Sequence, residues 1–269
     1  MQIARVFPRV TKATPSDALT FFDGPPLWPV ECDEVHVSVA FTYDIPRALN
    51  LMADWRNAGY SVKIGGPGTG QKGEAFTPGR YLKRGYVITS RGCPNRCWFC
   101  SVWKRDGDVR QLPITDGWDV LDDNLLACSE DHIRAVFDML KRQPKKARFT
   151  GGLESKRMTP AIAEGLRSLM PETLYFAYDT PDDWEPMCKA ADMLWKAGFP
   201  QKHRSVRAYV LCGYKGDTQE KAEARLVATL ERRIVPMCMM WRDAEGRKAN
   251  WGGFQRRWVR PALIPQSGS

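Results

Sequence analysis

Tyr86-Val87-Ile88-Thr89-Ser90-Arg91-Gly92-Cys93-Pro94-Asn95-Arg96-Cys97-Trp98-Phe99-Cys100 runs from a short apolar stretch straight into a loop that holds three of the chain's eight cysteines. The apolar part, Tyr86 to Ser90, has the length and composition of a strand. The rhythm it starts repeats downstream. Apolar runs recur at Trp118 to Leu121, Ala147 to Thr150, Thr173 to Ala177, Val206 to Leu211 and Val235 to Met240. Between them lie helical patterns: Asp131 to Arg142, with Ile133, Val136, Phe137 and Leu140 on one face, then Thr159 to Leu169, Trp184 to Ala197 and Gln219 to Arg232. Start signals agree, since Ser129 precedes Asp131 and His132, Thr159 precedes Pro160, and Thr218 precedes a Glu-, Lys- and Ala-rich stretch. Six strands joined by helices specify an α/β fold with a parallel sheet and right-handed crossovers. Six units are too few to close an eight-stranded barrel. The expected body, residues 76–245, is therefore an open, partial (βα)6 barrel of TIM-like order, with functional groups on the loops that follow its strands.

Upstream, residues 1–75 contain Val35-His36-Val37-Ser38-Val39-Ala40-Phe41, a helical pattern through Pro46, Leu49, Met52 and Trp55, and then Val62-Lys63-Ile64. This reads as a short β-α-β unit, a truncated Rossmann-like piece. It ends in Gly65-Gly66-Pro67-Gly68-Thr69-Gly70, where α/β folds place ligands. Pro67 and the lack of a following apolar helix make that stretch a flexible connection rather than a phosphate loop. Downstream, residues 246–269 carry Trp251, Phe254 and Trp258 at helical spacing, interleaved with Arg256, Arg257 and Arg260. A helix that docks by its aromatic stripe is the expected structure. Binding of single-stranded nucleic acid is the competing reading.

Composition bounds the function. With 43% apolar and 26% charged residues in 269, the chain is of the ordinary globular class; disorder, collagen and coiled coil are excluded. No segment approaches the ~20 apolar residues of a membrane-spanning helix, and Met1 to Thr20 lacks a secretory hydrophobic region, so a cytoplasmic protein is expected. The 40 Lys and Arg against 31 Asp and Glu leave a net charge of +9, which favours anionic partners. Residues 71–110 hold nine basic against three acidic side chains, and residues 141–157 seven against one. If these segments rim the site, an anionic substrate such as a nucleotide or nucleic acid is expected there.

Eight cysteines are too few for a disulfide scaffold, so clustered ones read as metal ligands. Cys93, Cys97 and Cys100 stand at C-x-x-x-C-x-x-C spacing in a loop that contains Gly and Pro and can wrap around one centre. Iron–sulfur clusters are normally held by four thiolates, so three suggest a cluster with one iron left open. A structural zinc site is the alternative. It would need a fourth ligand from Cys32, Cys128, Cys188, Cys212, Cys238, His36, His132 or His203, none of which forms a second C-x-x-C pair. The five other cysteines read as small buried hydrophobes.

The spacing, Phe99 just before the last cysteine and the strand immediately upstream resemble the radical S-adenosylmethionine (radical SAM) superfamily. The likeness spans about residues 80–245. It implies an enzyme in which Cys93, Cys97 and Cys100 hold a 4Fe-4S cluster, S-adenosylmethionine chelates the open iron, and a 5′-deoxyadenosyl radical abstracts hydrogen from substrate. It also implies a one-electron donor such as flavodoxin or ferredoxin. By position, the resemblance places Phe99 at the adenine and an acidic residue of Asp122-Asp123-Asn124 at the amino group. The loop departs there from the family's Gly-Gly-Glu form. Gly151, Gly152 and Glu154 after the third strand, Asp179 after the fourth, and Gly213 and Tyr214 after the fifth are further cofactor-binding candidates, with Asp179 facing ribose hydroxyls. The N-terminal unit resembles a shortened cobalamin-binding domain, but it lacks Asp-x-His-x-x-Gly, which argues against cobalamin. The whole also resembles small radical SAM proteins of phage and prophage type. A non-catalytic nucleic-acid-binding module stabilised by zinc or iron–sulfur is the rival from another class. The three histidines carry no motif that marks a catalytic base.

Overall fold

The computed structural model describes residues 1–73, 75–201, 204–243 and 245–259. Its first unit is a four-stranded parallel sheet of β1 (Ile3–Val6), β2 (Thr20–Phe21), β3 (Glu34–Ser38) and β4 (Val62–Gly65), in the order β2-β1-β3-β4, with α1 (Ile45–Asn57) between β3 and β4. The expected β-α-β pattern is β3-α1-β4; two further strands precede it. β1 escapes sequence reading because it is four residues long and carries Arg5, whose buried guanidinium bonds the carbonyls of Gly79 and Arg80 at 3.2 and 3.0 Å and the Asp17 carboxylate. The inward face of α1 is Ala48, Leu51 and Trp55 rather than the row through Leu49, which is 45% exposed. Trp55 is fully buried and fixes the loop before β3 through Nε1 and the Asp23 carbonyl, 3.1 Å.

The Gly65–Gly70 turn is not a slack connection. A Cβ on Gly68 would lie 2.7 Å from the Phe41 carbonyl carbon, and one on Gly66 2.6 Å from the Val39 carbonyl oxygen. The turn is packed onto the backbone that follows β3, and only glycine permits that approach. It leads into no phosphate-binding helix.

The second unit carries β5 (Tyr86–Val87), β6 (Ser90–Arg91), α2 (Val102–Asp106), β7 (Arg110–Gln111), β8 (Asp119–Val120), α3 (Glu130–Lys141), β9 (Arg148–Phe149), α4 (Pro160–Leu169), β10 (Thr173–Tyr178), α5 (Trp184–Lys196), β11 (Val206–Cys212), α6 (Gln219–Glu231), β12 (Val235–Met240) and α7 (Phe254–Trp258). Strands β5, β8, β9, β10, β11 and β12 form one parallel sheet in chain order. That order is the one a βα barrel uses, without the reversal of a doubly wound sheet. β5 and β12 are its two edges, so it is open.

The helices form where the periodicity predicts. Ser129, Thr159 and Thr218 cap α3, α4 and α6, each accepting the backbone N–H three residues on at 3.3 Å. One face of the sheet, through Val87, Val120, Phe149, Leu174, Phe176 and Val210, is buried against them in a single core that includes Ile133, Val136, Phe137 and Leu140 of α3. Phe254 and Trp258 of α7 join that core, with Trp251 against it, while Arg257 pairs with Glu223 at 3.2 Å. The docking reading of the C-terminal stripe therefore holds over the described residues; Arg260 lies outside them. No helix among the described residues is long and apolar enough to cross a membrane.

The opposite sheet face is polar. Asp119, Thr150, Tyr175, Arg207 and Tyr209 share it; the Tyr175 and Tyr209 rings stack at 4.3 Å, and Tyr209 donates to the Thr150 carbonyl at 3.0 Å. A closed barrel would fill this face with branched apolar residues.

Candidate functional site

After Val87 the chain turns away from the sheet into a stapled loop. Ser90 and Arg91 pair antiparallel with Gln111 and Arg110, and the Cys93 N–H donates to the Gly107 carbonyl at 3.0 Å. Gly92, at φ 86°, lets the strands of this hairpin touch: a Cβ there would lie 2.3 Å from the Asp108 carbonyl oxygen. Within the loop, Cys100 N–H and Trp103 Nε1 both donate to the Cys97 carbonyl at 3.1 Å, which curls the chain from Cys97 to Trp103. Beneath it, Arg105 bridges Asp106 at 2.5 Å and Asp123 at 3.3 Å, and Asp106 accepts the Gly73 N–H at 2.9 Å.

Asp122 and Asp123 hold this loop up and do not reach into the space beside the cysteines. Asp122 is buried and accepts from Thr89 N–H at 2.6 Å, Thr89 Oγ1 at 2.5 Å and Ser90 Oγ at 2.8 Å. Asp123 accepts from the Gly92 N–H at 2.9 Å and from Arg105. Burial pushes both carboxyls above their ordinary value, against those hydrogen bonds. Asn124 is the side chain of this loop that faces the cysteines. Its Nδ2 donates to Glu154 Oε2 at 2.7 Å and to Cys93 Sγ at 3.3 Å. A carboxylate can only accept, so the amide orientation is fixed and Oδ1 is left buried without a hydrogen-bond partner.

Glu154 arrives from the loop after β9, held also by Arg157 Nε at 2.7 Å. The two glycines before it serve the backbone. A Cβ on Gly151 would lie 2.3 Å from the Asp122 carbonyl oxygen, and Gly152 sits at φ 93°. Asp179, after β10, has no side-chain hydrogen bond among the described residues; burial, and then Asp183, push its carboxyl up to about 7. Gly213, after β11, has φ 74° and donates to Asp217 at 2.8 Å; Asp217 is gripped by Arg225 of α6 at 2.9 and 3.0 Å. That brace carries Tyr214 to Trp98, ring centroids 5.8 Å apart. Trp98 also meets Phe99 at 5.4 Å and Trp241, just after β12, at 6.2 Å.

The structure thus brings Cys93 to Asn124 and Glu154, and Phe99, through Trp98, to Tyr214. Burial, then the neighbouring Cys100 and Cys93 thiols, and then Asp179 and Asp183 push the Cys97 thiol up. Burial does the same at Cys100, with Cys93 and Asp123 adding to it. No three His, Cys, Asp or Glu side chains among the described residues are placed to hold a metal ion. His203 lies outside the described residues. Of the other cysteines, Cys212 and Cys238 are buried and Cys32, Cys128 and Cys188 half-buried.

Trp98, Trp241, Arg225 and Asp217 were not singled out in the sequence. Trp98 could have been, since it stands between two cysteines and is 55% exposed. Nothing in the chain marks Arg225 as the partner of Asp217.

Part of the charge expected at this mouth lies elsewhere. Arg105 and Arg110 are spent on Asp106 beneath the loop. Arg142, Lys145 and Lys146 lie in the connection from α3 into β9, at the start of a strand, the end opposite the cysteines. This separation follows from the fold: each helix runs back from a strand end, so helix N-termini, with Glu130, Asp131, Glu185 and Glu220, sit on the cysteine side and helix C-termini on the other. Compared with known proteins, the sequence matches no family model and no curated protein.

Proposed function

We propose that the chain is a radical SAM enzyme whose Cys93, Cys97 and Cys100 hold a 4Fe-4S cluster at the mouth of a curved, open half barrel. The observation that carries the reading is the set of groups gathered at one end of a parallel sheet in barrel order. The three thiols share one loop, and Cys93 touches Asn124, whose buried acceptor Oδ1 has no donor. The donor set fits the group in kind, three thiols of one loop leaving one iron open. Burial, and then the neighbouring thiols, favour the protonated form of Cys97 and Cys100, which suits a positively charged centre that takes their protons' place.

When bound, the cluster supplies the electron that cleaves S-adenosylmethionine into methionine and a 5′-deoxyadenosyl radical. The chain's own residues bind and orient. Asn124 Oδ1 and the Glu154 carboxylate accept hydrogen bonds from the ammonium of S-adenosylmethionine, the task first assigned to Asp122 or Asp123, whose carboxylates are engaged elsewhere. Asp179, with its carboxyl free of hydrogen bonds, accepts from the ribose hydroxyls. Trp98 and Tyr214 offer ring faces to adenine beside the Phe99 backbone. Flavodoxin or ferredoxin in a reducing cytoplasm fits as the electron source. Acids and bases are mixed at this mouth, so charge does not favour an anionic substrate at the cysteines.

Anaerobic reconstitution with iron and sulfide, followed by S-adenosylmethionine and dithionite, is expected to release 5′-deoxyadenosine. Release no greater than that of Cys97→Ala, from a fully loaded cluster, overturns the reading.

A further inference from the structure

The end of the six-stranded sheet opposite the cysteines carries the side chains that the site does not use. A cleft of about 270 Å³ opens there where α3 hands over to β9. Lys141, Gln143, Lys145, Lys146 and Ser168 line it, and no carboxylate does. Of the acids at this end, Asp138 holds Lys141 at 3.0 Å and Asp116 accepts from Gln143 at 3.0 Å; Glu172, whose N–H bonds the Ala147 carbonyl at 2.8 Å, is the exposed one that leads into β10. Lys145 stands 4.8 Å over the Trp118 ring, which holds its ammonium at the rim, and Lys146 is exposed with no carboxylate partner among the described residues.

The charge extends past the cleft. Lys83 and Arg84 lead into β5, two strands from β9, and Arg233 leads into β12 at the far edge, next to Arg232, which is paired with Asp192 at 2.6 Å. At about 4.8 Å per strand, the cations lie across roughly 24 Å of sheet. Helix C-termini account for the bases in the last turns of the helices, such as Lys141 and Lys196. They do not account for Lys145 and Lys146, which lie beyond α3, or for Lys83 and Arg84, which follow no helix.

We propose that this strand-start end is a docking surface for the sugar–phosphate backbone of a nucleic acid, independent of the chemistry at the cysteines. Cations at three places over that span, before β5, β9 and β12, suit a repeating anion better than a single phosphate. Of the exposed large apolar side chains, Tyr81 alone lies in a described loop leading into these strands, and its hydroxyl is tied to His36 Nδ1 at 2.6 Å, so the surface offers little to enter a bilayer. The chain's net charge of +9 supplies the long-range attraction.

The test is fluorescence anisotropy of the full chain with a labelled single-stranded DNA of about 20 nucleotides. With about four phosphates engaged, affinity is expected to fall about fifty-fold between about 50 and 200 mM salt. Lys145→Glu/Lys146→Glu is expected to weaken binding at least tenfold and flatten the salt dependence, with an unchanged thermal melt showing that the variant folds. Arg96→Glu/Lys215→Glu, on exposed residues at the cysteine end, is expected to bind as the parent does. No binding at low salt overturns the proposal. So does equal loss in both variants, or capture of phosphatidylserine vesicles without capture of DNA. Iron content plays no part in the readout, so failure here leaves the radical SAM reading untouched, and the reverse holds too.

Discussion

Replacing Arg225 with alanine removes the brace of the Gly213 turn. The Asp217 carboxylate is fully buried and Arg225 only 13% exposed; their two contacts at 2.9 and 3.0 Å are joined by a third from Arg225 to the Leu211 carbonyl at 2.9 Å. Removing one partner of a buried pair leaves an uncompensated charge, which costs about 3–5 kcal/mol. At about 2–4 °C per kcal/mol for a domain of this size, the melting temperature should fall by about 6–20 °C. The assay is a thermal melt of the chain without added iron. Asp217→Asn added to Arg225→Ala removes the orphaned charge while an amide oxygen can still accept the Gly213 N–H, so the double variant should recover part of the loss. The same turn carries Tyr214 to Trp98, so Arg225→Ala should also change tryptophan emission before the melt begins. A single variant melting within about 2 °C of the parent, or a double variant no better than the single, would refute the claim that this pair holds the turn.

Asn124→Leu deletes the one side-chain N–H that reaches Cys93; since a hydrogen bond to a cluster sulfur favours the more negative, reduced form, the reconstituted variant should show a lower reduction potential by redox titration, and an unchanged potential would count against that role. Gly151→Ala drives a methyl into the Asp122 carbonyl and should destabilise by about 1–3 kcal/mol in a denaturant titration, loosening the contact between the loops after β8 and β9. Asp179 has its carboxyl raised to about 7, so the folded chain without iron disfavours its charged form. Stability should be lost as pH rises from the ordinary carboxyl range near 4 through about 7, and Asp179→Asn should flatten that slope in melts at several pH values. A variant with the parent's slope would assign the pH dependence to other groups.

The order of the second sheet was legible because β8 to β11 are each followed by a helix with an apolar stripe, three of them capped at Ser129, Thr159 and Thr218. β1 and β2 were hidden because strands of four and two residues leave no periodicity, and β1 buries an arginine. On α1 the pattern through Leu49 misled by one residue: Ala48, which carries little apolar weight in the sequence, faces the core. In the site, the spacing of the cysteines put all three in one loop after β5. The carboxylates were assigned by position in the chain, yet whether Asp122, Asp123 or Glu154 meets the cysteines depends on which neighbours satisfy each one. Thr89, Ser90 and Gly92 claim the first two, contacts across some thirty residues that spacing does not reveal. The basic runs were placed at the mouth because sequence counts charge without direction, and the alternation of strand ends and helix ends sends Lys145 and Lys146 to the other side.

The central claim is a cluster with an open iron at Cys93, Cys97 and Cys100, and electron paramagnetic resonance of the reduced, reconstituted chain tests it most directly. The account predicts a 4Fe-4S signal that changes on addition of S-adenosylmethionine and is absent from Cys97→Ala. Protein that takes up zinc without labile sulfide, or a 4Fe-4S signal that S-adenosylmethionine leaves unchanged, would contradict it.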